Sequence, residues 1–334
     1  MKSFTNATPR DLAHALTLVR QTRESGRTPA LAGGGSDLLG MMKDRLVTPD
    51  VVVNLKAIKG LDQVQQDGAR VIIGGLITLD ALSSHPLIRR RYPVLAEAAA
   101  SVATPQIRNV GTLAGNICQR PWCWYYRNGF NCLKNGGTVC YSISGENAFH
   151  AIFGGGPSYI VHPSDTAPAL VALDATFRIV GSAGERMVPA AEFFTLPKDG
   201  PSRENVLTDD EVLAAIALPA PGAGTRSTYH KVLDREAWTH AVVSAAIVLQ
   251  MNNQICQSAR IVLGGVAPVP WRVPEVEKML AGRRITPELA AKAGDAAVVG
   301  ARPLAKNGYK VPLTRGMVSR TILDIADRGL PNAD

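Results

Sequence analysis

Residues 28–43 read TPALAGGGSDLLGMMK, and the order of residue types in this stretch decides the first unit of the fold. The short apolar run 28–32 predicts a strand. Gly33, Gly34 and Gly35 follow at once, then Ser36 and Asp37, and the apolar residues from Leu38 to about 43 predict a helix. A β-branched run over 50–54 predicts a second strand, giving a β-loop-α-β unit. Glycines without side chains let backbone N–H groups converge on an anion where the helix begins. The pattern is not the dinucleotide fingerprint G-x-G-x-x-G, because Leu38 stands in the third glycine's place. Taken alone, three glycines serve a tight turn at least as readily as a phosphate.

Outward from this unit, Thr8-Pro9-Arg10-Asp11 predicts a helix capped at Thr8, running to about residue 24 and stopped by Gly26. Strands are expected over 70–74 and 176–180, and helices near 78–84 and 92–103. The segment 219–224, PAPGAG, reads as a linker. Beyond it, three antiparallel strands are expected over 228–233, 241–251 and 258–263. Helices follow over 274–280, 287–298 and 314–327, the second opened by Thr286-Pro287. The fold class is α+β: a first domain over 1–220, then a small antiparallel sheet with helices on one side over 225–334.

A chain of 334 residues, 46% hydrophobic and 19% charged, has the composition of a globular protein with two cores. Its net charge of +8 is scattered, with Arg89-Arg90-Arg91 the densest run, so it reads as a solvated basic surface or one facing an acidic subunit, and no nucleic acid is expected. No stretch approaches the roughly 20 apolar residues that span a bilayer. The N-terminus has no signal-peptide pattern, so the expected location is the cytoplasm, or export only alongside a partner. The sequence carries no nucleophile elbow, no H-E-x-x-H and no two-cysteine redox motif.

A second small-residue segment, QIRNVGTLAGN over 106–116, suggests backbone pressed against a flat or anionic ligand. Two such loops in one domain fit a dinucleotide lying across it. His162-Pro163-Ser164-Asp165 enters the apolar run 167–173, where Asp165 reads first as a helix N-cap. Directly after Asn116, four of the five cysteines fall in one 23-residue window, Cys118, Cys123, Cys132 and Cys140, spaced C-x4-C-x8-C-x7-C. Trp122, Trp124, Tyr125, Tyr126, Phe130 and Tyr141 share it, while Cys256 stands alone as a small core or surface residue. In a reducing compartment disulfides are a poor explanation. Zinc favours tighter pairs such as C-x2-C; a [4Fe–4S] cluster takes four thiolates from an extended loop; free thiols are the third reading.

Residues 32–38, Ile73-Gly74, 106–116 and Ser164-Asp165 together resemble the FAD-binding subunits of molybdenum hydroxylases. That family includes the flavin parts of xanthine dehydrogenase, carbon monoxide dehydrogenase, 4-hydroxybenzoyl-CoA reductase and aldehyde oxidoreductase. Residues 229–236 (YHKVLDRE) resemble the opening of the family's C-terminal domain. The resemblance implies a vanillyl-alcohol-oxidase/PCMH-type FAD domain and an electron-transfer subunit. It would work beside a molybdenum-cofactor large subunit and a [2Fe–2S] small subunit, passing electrons through FAD to an external acceptor. By resemblance, Leu31, Ala32, Gly33, Gly34, Gly35, Ser36, Asp37 and Leu38 would wrap the FAD pyrophosphate. Gly74, Thr104, Gly111, Thr112, Gly115 and Asn116 would line flavin and pyrophosphate. Asp165 would bond ribityl or ribose hydroxyls, and Lys231 would approach the isoalloxazine ring. No residue is expected to act on the substrate itself. Some members carry an extra [4Fe–4S] cluster in an insertion placed at 118–150. Cys123, Cys132 and Cys140 match its first three ligands, with Cys118 the remaining thiol and Ser158, a three-thiolate cluster or no cluster as the alternatives. Two rivals are a stand-alone flavin oxidase of the vanillyl-alcohol type and a zinc-stabilised binding module.

Overall fold

The computed structural model describes residues 1–235 and 240–327. Glu236, the last residue of the 229–236 segment, and the end of the second expected domain, 328–334, lie outside the described residues.

The first helix is Leu12–Glu24. It is capped by Asp11, whose extended backbone lets the carboxylate accept from His14 N at 2.7 Å; Thr8 does not cap it. It ends at Gly26, in the left-handed region at φ +72°. Val51–Asn54 is the centre of a three-stranded parallel sheet, flanked by Thr5–Ala7 and Pro29–Ala32. Its valines are buried because both neighbours and both faces are covered. The helix Leu38–Lys43 provides the crossover, so the β-loop-α-β unit expected from residues 28–54 is present.

A five-stranded antiparallel sheet follows, in the order Val64–Asp67, Arg70–Gly74, Glu211–Leu218, Thr176–Gly181, Gly184–Pro189. Its central strand, Glu211–Leu218, was not among the strands expected. EVLAAIAL is a continuous apolar run buried on both faces, which periodicity does not separate from helix. The helix expected over 92–103 is present as Pro93–Ala100, preceded by a short helix that was not expected. Pro86 and Pro93 each open a new short helix, Pro86–Arg91 and Pro93–Ala100, since proline at the first position ends the preceding turn. These helices, together with Leu79–Ser84 and Thr166–Ala172, bury Leu82, Ile88, Leu95 and Leu170 against Ile73, Phe177 and Ile216 of the sheet.

The remaining sheet is antiparallel, in the order Trp271–Arg272, Ile255–Gly264, Val243–Asn252, Thr225–Val232, with Arg283–Arg284 paired to the start of Ile255–Gly264. Helices Pro274–Leu280, Pro287–Ala297 and Lys310–Asp327 share a second core with it, built on Ile247, Ile261, Val276 and Val318. Cys256 is fully buried in this core. Among the described residues no helix is long and apolar enough to cross a membrane.

Candidate functional site

The two glycine-rich segments meet. A Cβ added at Gly34 would lie 2.0 Å from the Val110 carbonyl oxygen and 2.9 Å from Gly111 Cα, and one at Gly33 would lie 2.7 Å from Thr112 Oγ1. Only glycine permits this approach, so backbone faces backbone along the seam. Beside it opens a cavity of about 170 Å³ walled by Ser36, Asp37, Gly111, Thr112, Gly115 and Asn116. A wall of small residues and main chain suits a flat, anionic dinucleotide, which needs close approach and N–H donors more than side chains. The expected residues Leu31, Ala32 and Leu38 instead pack into small cores below the loop. Gly74 serves packing: a Cβ there would meet the Leu61 carbonyl at 2.2 Å. Thr104 caps the helix Pro105–Val110, accepting from Ile107 N at 3.4 Å.

Two rings that sequence reasoning missed also wall the cavity. Trp122, from the cysteine-rich insertion, stands with His240, from the second half of the chain, at a centroid separation of 5.2 Å. His240 is itself exposed at this edge of the cavity. Trp122 was legible only as the neighbour of Cys123, and nothing in the spacing gave its direction.

Asp165 and Lys231 are joined to each other. Asp165 Oδ2 accepts from Lys231 Nζ at 2.7 Å and its Oδ1 accepts from the Tyr229 hydroxyl at 2.7 Å; Lys231 also donates to the Ser101 carbonyl. Both ion-pair side chains are 4% exposed, and the pair locks the strand Thr225–Val232 to the first sheet's helices. The cap of Thr166–Ala172 passes from Asp165 to Ser164, whose hydroxyl accepts from Ala167 N at 3.0 Å. Asn116 Oδ1 accepts from both Ser164 and Thr166, fixing this turn to the 111–116 loop. Lys231 lines a second, open cleft of about 1050 Å³, with Ala103, Arg108 and Arg320.

The insertion gathers three of its four thiols. Cys123, Cys132 and Cys140 line one small cavity together with Ser158, Lys134 and the rings of Tyr125, Tyr126 and Tyr141. Gly136 at φ +85° and Gly137, where a Cβ would strike the Asn131 carbonyl at 2.0 Å, make the turn that returns Val139 to pair with Cys132. Burial raises the Cys123 thiol, and the neighbouring Cys140 and Cys132 add to the rise. Its sulfur lies 3.3 Å from His150 Nε2. Cys118 is the exception, and corrects the expectation of a fourth thiol. It ends the helix Leu113–Ile117, packs against the first core, and burial pushes its thiol up to about 12. Among the described residues no set of three or more His, Cys, Asp or Glu converges as a single ion requires. The thiols stand apart around a space of about 10 Å³, room for roughly one water.

Charged groups tie the insertion to both halves. Asp37 accepts from Arg127 Nη2 at 2.7 Å and from Arg120 N at 3.0 Å, and the Arg127 guanidinium lies 4.2 Å from the Trp122 ring centroid. Glu204 pairs with Arg120 and with Lys134, each at 2.7 Å, the Lys134 pair being almost wholly buried. At the other end, Asn307 donates to the His150 carbonyl, Lys306 N to Asn147 Oδ1 and buried Lys310 to the Phe149 carbonyl.

A small parallel sheet, a five-stranded antiparallel sheet and a backbone-walled cavity at their junction define a flavin-binding domain. The chain matches the family described as "FAD binding domain in molybdopterin dehydrogenase" over residues 2–221 and that described as "CO dehydrogenase flavoprotein C-terminal domain" over 228–325. It is 32% identical to the aldehyde oxidoreductase FAD-binding subunit PaoB of Escherichia coli K12, covering 87% of this chain and 89% of that protein. It is 29% identical to the carbon monoxide dehydrogenase medium chain of Hydrogenophaga pseudoflava, over 94% of each. The solved H. pseudoflava carbon monoxide dehydrogenase lacking the Mo-pyranopterin moiety superposes with a TM-score of 0.75, at 28% identity, covering 97% of this chain and 96% of that one. The chain belongs to the FAD-binding medium subunits of the molybdenum hydroxylase family. The resemblance and the α+β fold class read from the sequence are thereby borne out, and the rival readings of a stand-alone oxidase and a zinc module fall away.

Proposed function

We propose that this chain is the electron-transfer subunit of a heteromeric molybdenum-dependent hydroxylase or dehydrogenase. It would receive electrons from a [2Fe–2S] small subunit attached to a molybdenum-cofactor large subunit, and deliver them to an external acceptor. The observation that carries this reading is the seam of Gly33–Gly35 against Val110–Thr112, with the cavity beside it. The division into an FAD domain over 1–220 and a C-terminal domain over 225–334 accords with the linker between the strands Glu211–Leu218 and Thr225–Val232.

FAD, when bound, supplies a carrier able to exchange electrons singly on one side and in pairs on the other. This chain's residues hold and orient it. Backbone N–H groups of the 32–37 and 111–116 loops would hold the pyrophosphate, with Leu31, Ala32, Leu38, Gly74 and Thr104 fixing the loop bases. Trp122 and His240 would flank the bound cofactor at the exposed edge of the cavity. Asp165 and Lys231 hold the strand Thr225–Val232 to the FAD domain, and by resemblance the lysine would approach the isoalloxazine ring. Cys123, Cys132 and Cys140 would hold a [4Fe–4S] cluster, which supplies one-electron transfer close to Trp122. The location that accords with these roles is the cytoplasm, or the periplasm after export with a partner.

The test is absorbance, flavin extraction and metal analysis of the chain purified with its companions. One FAD per chain with molybdenum in a larger subunit is expected. A colourless chain that binds no added FAD refutes the reading.

A further inference from the structure

We propose that Trp122 of the insertion stacks on the isoalloxazine ring of FAD, and that Arg127 is the positioning residue that holds the indole there. This rests on the reading of the cavity beside the glycine seam as the FAD site, and goes beyond it in giving the insertion a contact of its own with the cofactor's ring.

The indole is open and yet held. Trp122 walls the cavity and is 45% exposed, although an indole is among the largest apolar surfaces a chain can bury. Arg127 lies over the ring, its guanidinium carbon 4.2 Å from the centroid. The indole N–H donates to Gln119 Oε1 at 3.3 Å, and Gln119 Nε2 donates to the Asn116 carbonyl at 3.0 Å, so the ring's edge is tied to the 111–116 loop. His240 stands 5.2 Å away, tilted by 36°, so the two rings do not lie flat on one another. What remains is apolar ring surface, fixed in direction, on the wall of a cavity suited to a flat cofactor. A ring already immobilised loses little freedom when a second ring lies on it. Pro163, two residues before Asp165, walls the same cavity, and Asp165 is bonded to Lys231. By resemblance Lys231 approaches the isoalloxazine, so that ring, and not the adenine, is assigned to Trp122.

Arg127 acts from behind. Its side chain is 9% exposed and does not wall the cavity. Its Nε donates to the Pro121 carbonyl at 2.8 Å, and its Nη2 donates to the Arg120 carbonyl at 2.9 Å and to Asp37 Oδ1 at 2.7 Å. Two of these acceptors belong to the backbone directly before Trp122, and the third follows the three glycines of the first loop. Asp37 makes no cap to its own helix; its other oxygen accepts from Arg120 N at 3.0 Å. One guanidinium therefore fixes the indole both to the chain that carries it and to the loop that would hold the pyrophosphate. A planar fork serves three acceptors and a ring face together, which an ammonium cannot do in the same geometry.

The experiment uses the intact complex, freed of flavin and titrated with FAD, or with FMN, which has the isoalloxazine and no adenine. Wild type is compared with Trp122→Phe, Trp122→Ala and Arg127→Lys. The readouts are the dissociation constant and the picosecond decay of the bound flavin's fluorescence, because an indole in contact gives an electron to the excited flavin and a phenyl ring does not. The wild type is expected to show that fast decay. Trp122→Phe should lose it while binding FAD within a few-fold of the wild type. Trp122→Ala should lose it and bind both FAD and FMN about 5- to 150-fold more weakly, the loss of one stacked ring. Arg127→Lys keeps a charge opposite Asp37 without the plane, and should slow the decay and weaken FAD binding. A fast decay that survives in Trp122→Phe overturns the stacking. Weaker FAD binding with unchanged FMN binding in Trp122→Ala puts the indole on the adenine and overturns the assignment to the isoalloxazine. A wild-type decay in Arg127→Lys overturns the positioning role. A wild-type complex that takes up neither FAD nor FMN overturns the reading of the cavity itself.

Discussion

Gly34→Ala puts the seam between the two glycine-rich loops to a quantitative test. The new Cβ would sit 2.0 Å from Val110 O, 2.7 Å from Val110 C and 2.9 Å from Gly111 Cα, all backbone atoms that cannot swing aside. Relief requires the 110–112 segment to retreat by more than an ångström. That segment is pinned by Leu79 N to Gly111 O at 3.0 Å, Gly111 N to Ile107 O at 2.7 Å and Leu113 N to Ile77 O at 2.9 Å. Overpacking of this kind costs about 1–3 kcal/mol. At about 2–4 °C per kcal/mol for a domain of roughly 200 residues, Tm should fall by about 2–12 °C. The same displacement widens the flavin wall, and if its cost falls on binding, FAD affinity drops about 5- to 150-fold. Gly40→Ala is the control. It lies in the helix Leu38–Lys43, two turns at most from the loop, and no atom lies within 4 Å of its added Cβ. Alanine there should add up to about 1 kcal/mol through helix propensity. Thermal unfolding of both variants and fluorescence titration of the deflavinated complex with FAD give the numbers. If Gly34→Ala keeps the Tm and FAD affinity of the wild type while Gly40→Ala behaves as expected, the loops are not pressed together as described.

Asp165→Asn or Lys231→Met should each destabilise by about 3–5 kcal/mol, because each leaves a buried charge without its partner, and each should lower flavin content. The double variant Asp165→Leu/Lys231→Met should recover much of the stability by calorimetry while flavin content stays low; full recovery of flavin would restrict the pair to holding the two halves together. Glu204→Gln strands Lys134, whose ammonium burial already disfavours, and should lower Tm; an unchanged melting curve counts against the buried pair. Lys310 gives a pH signature. Burial lowers it to about 7 in the folded chain from 10.5, so between those values the unfolded chain binds the extra proton and stability rises with pH, by up to about 1.4 kcal/mol per unit. Denaturant titrations from pH 7 to 9 should show that rise in the wild type and its loss in Lys310→Met; equal slopes refute it.

The parallel unit at 28–54 was legible because its strand, glycines and helix are contiguous and each is strongly patterned. The helices Pro274–Leu280 and Pro287–Ala297 were legible for the same reason, with proline marking each start. Glu211–Leu218 was missed because a strand buried on both faces loses its alternation. The pairing of Lys231 with Asp165 was missed because sequence places residues along the chain and says nothing of which buried charges meet across a sheet. The spacing showed a window of four cysteines, and the resemblance implied the set of three. The separation of Cys118 was legible in neither, because it follows from a helix of five residues turning that side chain into the core.

The insertion's two anchorages have a mechanical meaning. Its near end is bound to the flavin loop through Asp37, Arg120 and Arg127, and its far end to residues 306–310, at the root of the final helix. It therefore acts as a strap of fixed length across the cleft between the two halves. Opening that cleft would break hydrogen bonds at one end or the other, so the separation of the two halves is fixed from within the chain.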